Sequence, residues 1–295
     1  MLAPAPATSL PDRAGIGLRS PHLPEVRRTR PPVLWFEVHS ENYFVSGGSA
    51  LQALLDLRTD YPVSLHGVGM SLGSVDGLDQ DHLRKLKQLA DIIQPAAVSE
   101  HLCWSSVGGR WMNDLLPVSY TNEALALICA HVEQIQETLK RPVLIENVSS
   151  YLHFSAADMH EWEFLAQVVR RTGCRLLLDI NNIYVSAMNH RFDARDFLAG
   201  IPVDYVGEMH LAGHEVVDEE DEQILIDTHS RPVHSEVWAL YREALSRFGA
   251  TPTLIEWDQD IPPLDILMAE ADKAQEYLDR IALPATEPAV QRKRA

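Results

Sequence analysis

Six apolar runs of this chain each close on a side chain that can hold a metal ion: Leu65-His66, Val98-Ser99-Glu100-His101, Leu144-Ile145-Glu146, Leu177-Leu178-Asp179, Glu208-Met209-His210 and Leu254-Ile255-Glu256. Taken singly, a His or Asp in such a place reads as a loop cap or a hydrogen-bonded core group. Taken as a ring they mean more. If the runs are strands of a closed parallel barrel, their C-terminal ends open on one face, and ligands far apart in sequence meet in one pocket. Several carboxylates crowded there without cations would each carry a heavy desolvation cost, so the implied chemistry is a polynuclear metal centre. An imidazole and carboxylate donor set without thiolate suits iron, manganese or zinc and disfavours copper(I) or an iron–sulfur cluster.

Local spacing adds to the ring. In Asp227-Thr228-His229 an extended backbone puts residues i and i+2 on one side, a two-residue clip for a single ion. In Asp179-Ile180-Asn181-Asn182 a strand end followed by a turn lets Asp179 face one ion and Asn182 another, the amide being the weaker oxygen donor. Glu37, His39, Glu41 and Asn42 end another apolar run and read as supports of the ligands, substrate contacts or caps. Glu100 and His214 stay open between the same readings. Trp104 and Ser149-Ser150-Tyr151 fit either substrate contact or packing.

The elements that must position these groups are eight strand-like runs: 14–18, 33–38, 63–66, 96–101, 143–146, 175–180, 203–210 and 253–256. Their apolar residues are nearly continuous, as in strands covered on both faces. Helical patterns over 51–57, 81–93, 122–139, 159–171, 237–248 and 266–281 give β-α alternation rather than hairpins, and the count predicts a single (β/α)8 TIM barrel over residues 14–283. Pro62, Pro142 and Pro252 stand just before strands, where a missing N–H is tolerated. Two loops at strand C-termini exceed what a barrel needs: 103–119, with Trp104, Trp111 and Asn113, and 212–234. Both are candidate substrate walls. Residues 1–13 and 284–295, rich in Pro and Ala and, at the C-terminus, basic, are expected to be disordered ends.

Composition narrows the function. A formal net charge of −17 disfavours a nucleic-acid partner and favours a basic peptide or a neutral small molecule. The acidic run 215–222, with Asp218-Glu219-Glu220-Asp221, reads as a solvated loop. Cys103, Cys129 and Cys174 show neither a disulfide framework nor metal-binding spacing, which points to a reducing cytoplasm. No signal-peptide pattern or membrane-length apolar stretch is visible, so a cytoplasmic protein is expected.

The segments Phe36-Glu37-Val38-His39-Ser40-Glu41-Asn42-Tyr43, His66-Gly67-Val68-Gly69, Ser99-Glu100-His101-Leu102, Glu146-Asn147-Val148-Ser149-Ser150-Tyr151, Leu178 through Tyr184, His210-Leu211-Ala212-Gly213-His214, Asp227-Thr228-His229 and Glu256-Trp257-Asp258 together resemble a known family. It is the multinuclear non-haem iron-dependent oxidative enzymes of the methanobactin-biosynthesis and bufferin type, within the xylose isomerase-like superfamily. The resemblance covers most of residues 14 to 282. It implies O2-dependent oxidation of cysteine residues in a ribosomally made precursor peptide, with two or three iron ions in mixed Fe(II)/Fe(III) states. It also implies a separate partner protein that presents the peptide's leader.

By similarity to the trinuclear centre of endonuclease IV, His66, His101 and Glu146 would hold one metal. Glu146 would bridge to a second held by Asp179, His210 and Glu256, while Asn182, Asp227 and His229 would hold the third. The endonuclease pattern has His where this chain has Asn182, which argues against nuclease activity and a tightly held third ion. Glu146, Asp179 and His210 are the expected catalytic groups; His39, Asn42, Trp104, Asn113, Tyr184 and His214 are the expected substrate contacts. The alternative within the superfamily is a metal-dependent hydrolase or sugar isomerase working without O2.

Overall fold

The computed structural model describes residues 9–45, 47–152, 154–219 and 222–282. Eight parallel strands close into a barrel: β1 (Ala14–Gly17), β2 (Phe36–His39), β3 (Val63–Gly67), β4 (Ala97–His101), then β7 (Leu144–Glu146), β8 (Arg175–Asp179), β9 (Val206–Leu211) and β12 (Thr253–Ile255), which closes back on β1. Two antiparallel hairpins interrupt the alternation, β5 (Cys103–Val107) with β6 (Arg110–Pro117) and β10 (Glu215–Glu219) with β11 (Glu222–Ile226). The two long loops are therefore ordered hairpins. The acidic run expected as a loop supplies parts of both strands of the second; residues 220 and 221 lie outside the described residues.

Helices α1 (Leu23–Thr29), α2 (Ser49–Arg58), α3 (Gln80–Ile93), α4 (Asn122–Leu139), α5 (Glu161–Thr172), α6 (Ile180–His190), α7 (Ala194–Gly200), α8 (Ser235–Phe248) and α9 (Leu264–Ala282) follow the strands. α3 shows why they form where they do. Asp79 caps it by accepting from the Asp81 and His82 amides, and its buried stripe is Leu83, Leu86, Leu89, Ala90 and Ile93. Burying each Leu is worth roughly 1.5–3 kcal/mol. α1, α6 and α7 were not foreseen. α6 starts one residue after β8, with Asp179 both ending the strand and capping the helix through the Asn182 amide, so the expected turn is a helix N-terminus. Residues 33–35 lie outside β2, where Trp35 is fully buried and leaves no room for a side chain at Gly15, whose Cβ would meet Trp35 Cε2 at 2.3 Å.

Strand register prepares the site. His39 pairs with His66, His101 with Glu146, and Asp179 with His210 across neighbouring strands, so these side chains share one level at the C-terminal rim. At the opposite end Leu10 packs against Ala97, Leu144 and Leu177. The expected disordered ends fall outside the described residues for 1–8 and 284–295; within 9–13, Arg13 Nη1 donates to Asp279 at 2.6 Å. Among the described residues no helix is long and apolar enough to cross a membrane.

Candidate metal centre

His66 and His101 present their Nε2 atoms to each other at 3.3 Å. Glu146 Oε2 lies 3.3 Å from both. Neither ring is free to turn: His101 Nδ1 donates to the Gly67 carbonyl at 2.9 Å, which leaves the lone pair on Nε2, and His66 Nδ1 bonds Ser99 Oγ at 2.7 Å. Burial holds the His66 pKa well below its ordinary value, with His101 adding to the shift, and burial also lowers that of His101. Two imidazoles whose burial disfavours the charged form thus converge with Glu146 on one point.

Glu146 continues into a second group with Asp179, His210 and Glu256, whose ligand atoms lie within 4.8 Å of one another. Asp179 is pinned from three directions: its amide donates to Asn147 Oδ1 at 3.0 Å, its carbonyl accepts from Asn147 Nδ2 at 3.0 Å, and Oδ1 accepts the Asn182 amide at 2.7 Å. Oδ2 stays unpartnered. His210 Nδ1 lies 3.1 Å from Glu256 Oε2, while its Nε2 faces Glu37 and Glu208 at 3.5 Å each. The other oxygen of Glu256 accepts from Arg19 Nη2 at 3.0 Å, and Arg19 Nε donates to Asp258 at 2.5 Å.

Electrostatics follow from the crowding. Burial pushes Glu146 well up and lifts Asp179 and Glu208 to about 7. Burial opposes charge on His210, but Glu37 and Glu256 outweigh it and hold the imidazole well above its usual range. For Glu256 the burial penalty is outweighed by His229 and His210, which keep it well down.

Asp227 and His229 do meet, Oδ1 to Nε2 at 2.8 Å, and His229 Nδ1 lies 3.4 Å from Glu256 Oε2. His229 adopts a left-handed φ of 49°, so the clip is bent rather than extended. Asn182 Nδ2 donates to the Asn147 carbonyl at 3.1 Å and its Oδ1 has no partner. All three line one cavity of about 440 Å³ with His66, His101 and Glu256.

The donor set suits cations. Glu146 Oε2, Asp179 Oδ2, Asn182 Oδ1, His210 Nε2, His229 Nε2 and both oxygens of Glu37 and Glu208 are buried without a hydrogen-bond partner. Orphaned buried oxygens at this density are costly unless positive charge joins them.

Of the expected substrate contacts, His39 and Asn113 line the cavity; Asn42, Trp104, Tyr184 and His214 do not. Asn42 is exposed. Trp104 Nε1 donates to the Pro117 carbonyl at 2.9 Å within the first hairpin. Tyr184 packs against His214, ring centres 5.5 Å apart, and His214 stacks on His234 at 4.0 Å. His214 Nδ1 bonds Asn181 Oδ1 at 2.8 Å and Asn181 Nδ2 donates to Asp227 at 2.7 Å, so Asn181 links His214 to the third group.

Arg19, Asn147, Asn181, Glu208 and Asp258 were not singled out from the sequence. Glu208 had a signal: two residues before His210 in one strand, it faces the same way. Arg19 had none.

The family model described as RiPP precursor modification enzyme MbnB/TglH/ChrH matches residues 13–279. The chain is 51% identical over 264 residues to a UPF0276 protein of Vibrio vulnificus strain YJ016, covering 90% of this chain and 91% of that one. It is 52% identical over 265 residues to a UPF0276 protein of Caulobacter vibrioides strain NA1000 / CB15N, with 90% and 93% covered. Among solved structures, D-psicose 3-epimerase from Clostridium cellulolyticum H10 superposes with a TM-score of 0.59 at 10% identity, covering 91% and 99% of the two chains. A xylose isomerase-like TIM barrel protein from Mycobacterium smegmatis, in complex with magnesium, gives 0.57 at 10% identity, covering 88% and 89%. At that identity the likeness is one of fold alone.

Proposed function

Because the chain belongs to the MbnB/TglH/ChrH family of RiPP precursor modification enzymes, we propose that it oxidises cysteine residues of a ribosomally made precursor peptide, using iron and O2 at the barrel mouth. The observation that carries this reading is the sharing of Glu146 and Glu256 between adjoining donor groups, which suits ions held side by side. His66, His101 and Glu146 would hold the first, and Glu146, Asp179, His210 and Glu256 the second. Asn182, Asp227 and His229 would hold the third, most weakly because Asn182 brings no charge. Bound iron would supply thiolate coordination and electrons for O2.

The chain's own part is binding and proton handling. Asn113 and Asp114 of β6 and Tyr151 wall the cavity, and Tyr151 is fixed by the Asp227 amide, which donates to its hydroxyl at 2.9 Å. His39 Nε2 lies 3.6 Å from both Glu256 and Asp258, in position to take the proton of an incoming thiol and lean it on Asp258. A second protein that presents the peptide's leader fits this reading. The test is iron content together with O2 uptake in the presence of a cysteine-containing precursor peptide, followed by the peptide's intact mass. A mass change of a few hydrogens with O2 consumed is the expected result. Turnover of a sugar or phosphodiester by iron-free, anaerobic protein would instead favour the isomerase or hydrolase reading.

A further inference from the structure

Strand β4 carries a second ligating residue that the mouth does not use. His101 and Ser99 point into the barrel, so Glu100 between them points outward, where it is 1% exposed. There its ligand atom lies within 4.8 Å of those of Glu41 and His82. We propose that Glu41, His82 and Glu100 form a separate site for a divalent transition-metal ion on the outer side of the β3 and β4 ends. The proposal stands on residues other than those of the mouth and does not depend on the peptide-oxidation reading.

Two unpartnered oxygens and a facing imidazole make the argument. Glu41 Oε2 and Glu100 Oε1 are buried without a hydrogen bond, and His82 Nε2, buried beside them, faces the other oxygen of Glu41. Glu41 is held in place from its other oxygen, which accepts the Val68 and Gly69 amides at 2.9 Å each and lies 3.2 Å from His82 Nε2. His82 is seated on the first turn of α3 and packs edge-on against Phe44, ring centres 4.9 Å apart.

Space for Glu100 and His82 is made by two glycines. A Cβ on Gly67 would fall 1.7 Å from Glu100 Oε1, and one on Gly69 would fall 2.8 Å from His82 Cε1. Neither glycine has a left-handed φ, so their smallness rather than their flexibility is in use. One imidazole with two carboxylates selects Zn²⁺, Mn²⁺ or Fe²⁺ over copper(I), and over Mg²⁺, which prefers oxygen ligands and retained water. With the Glu41 side chain 24% exposed and that of His82 11%, the ion has a route in from solvent. Bound there, it would tie the loop after β2, the loop after β3, α3 and β4 together, and so brace the Gly67 carbonyl on which His101 rests.

Zinc tests this by position. Crystals of the full chain soaked in zinc chloride should give an anomalous peak between Glu41, His82 and Glu100, apart from any peaks at the mouth. His82→Ala should lose that peak alone and one equivalent of zinc by elemental analysis; Glu41→Gln serves if His82→Ala does not fold. Glu146→Gln should empty positions at the mouth and keep the outer one. No density between the three side chains, whether or not the mouth is filled, overturns the proposal, as does an unchanged zinc count in His82→Ala.

Discussion

Arg19 is the sharpest place to press on the site. Its guanidinium is 6% exposed and spans Glu256 Oε1 at 3.0 Å and Asp258 Oδ1 at 2.5 Å. Arg19→Met keeps much of the bulk and removes the charge, leaving Glu256 to His210 and His229 alone and taking from Asp258 its guanidinium partner. Breaking a buried pair from one side costs about 3–5 kcal/mol. For a chain of 295 residues the unfolding entropy is on the order of 0.6 kcal/mol per kelvin, so metal-free protein should melt about 5–8 °C lower. Metal loading should shrink the deficit, because a cation on Glu256 Oε2 supplies the charge that Arg19 no longer does, and Arg19→Met with Asp258→Asn should recover part of it. Thermal melts followed by circular dichroism, with and without bound metal, read all three effects. A metal-free Arg19→Met protein melting within about 1 °C of the parent would show that the guanidinium does not hold the carboxylates together.

Glu146→Ala should lose two ions rather than one, since its Oε2 faces His66 and His101 and its Oε1 faces His210; unchanged metal content would reject the shared role. Asn182→Ala should lower occupancy of one position only, and total loss of metal would contradict that. Cys103→Ser should leave the proposed peptide oxidation intact, because the thiol is buried and burial raises its pKa above the usual thiol range; an inactive protein would implicate Cys103 in the chemistry. Metal-free protein should be destabilised as pH rises from about 5 to about 7 by Glu208, whose pKa burial lifts to about 7. The folded state keeps a proton there that the unfolded chain has released, a slope of roughly 1.4 kcal/mol per pH unit. Glu208→Gln should remove that contribution, and equal urea-midpoint slopes for the two proteins would exclude it.

How much of this was legible in the sequence depended on distance along the chain. The candidate rim ligands stood out because six of the eight barrel strands are apolar runs that close on a His, Asp or Glu, a local pattern. Register then did the assembly, bringing His101 against Glu146 and Asp179 against His210. α6 was hidden because Asp179 serves as strand end and helix cap at once, with no loop residues to announce the change. In sequence both hairpins have the look of loops: one carries Gly108-Gly109 beside polar residues and is exposed along much of β6, and the other is largely acidic. Arg19 could not be found at all: its partners lie 237 and 239 residues away, and no local spacing encodes a contact across the barrel's closing seam. Trp104 and His214 look like substrate residues from their loops, yet the first bonds within its own hairpin and the second braces Asn181.

Charge also orders events at the mouth. Glu37, Glu146, Asp179, Glu208 and Glu256 are all at most 3% exposed, and among the described residues Arg19 is the guanidinium that reaches into this cluster. Before cations arrive the balance is kept by protons, on the raised carboxylates and on His210. Each ion that binds must release some of them, so affinity rises with pH as folding stability without metal falls. Glu146 and Glu256 each touch two donor groups, so filling one position fixes a carboxylate that the next requires and removes part of the repulsion around it. The thiolate of the proposed peptide substrate would add one more negative charge to the same space. On the proposed reading it would be accommodated only after the ions are in place, which would make metal loading the step that prepares the cavity for substrate.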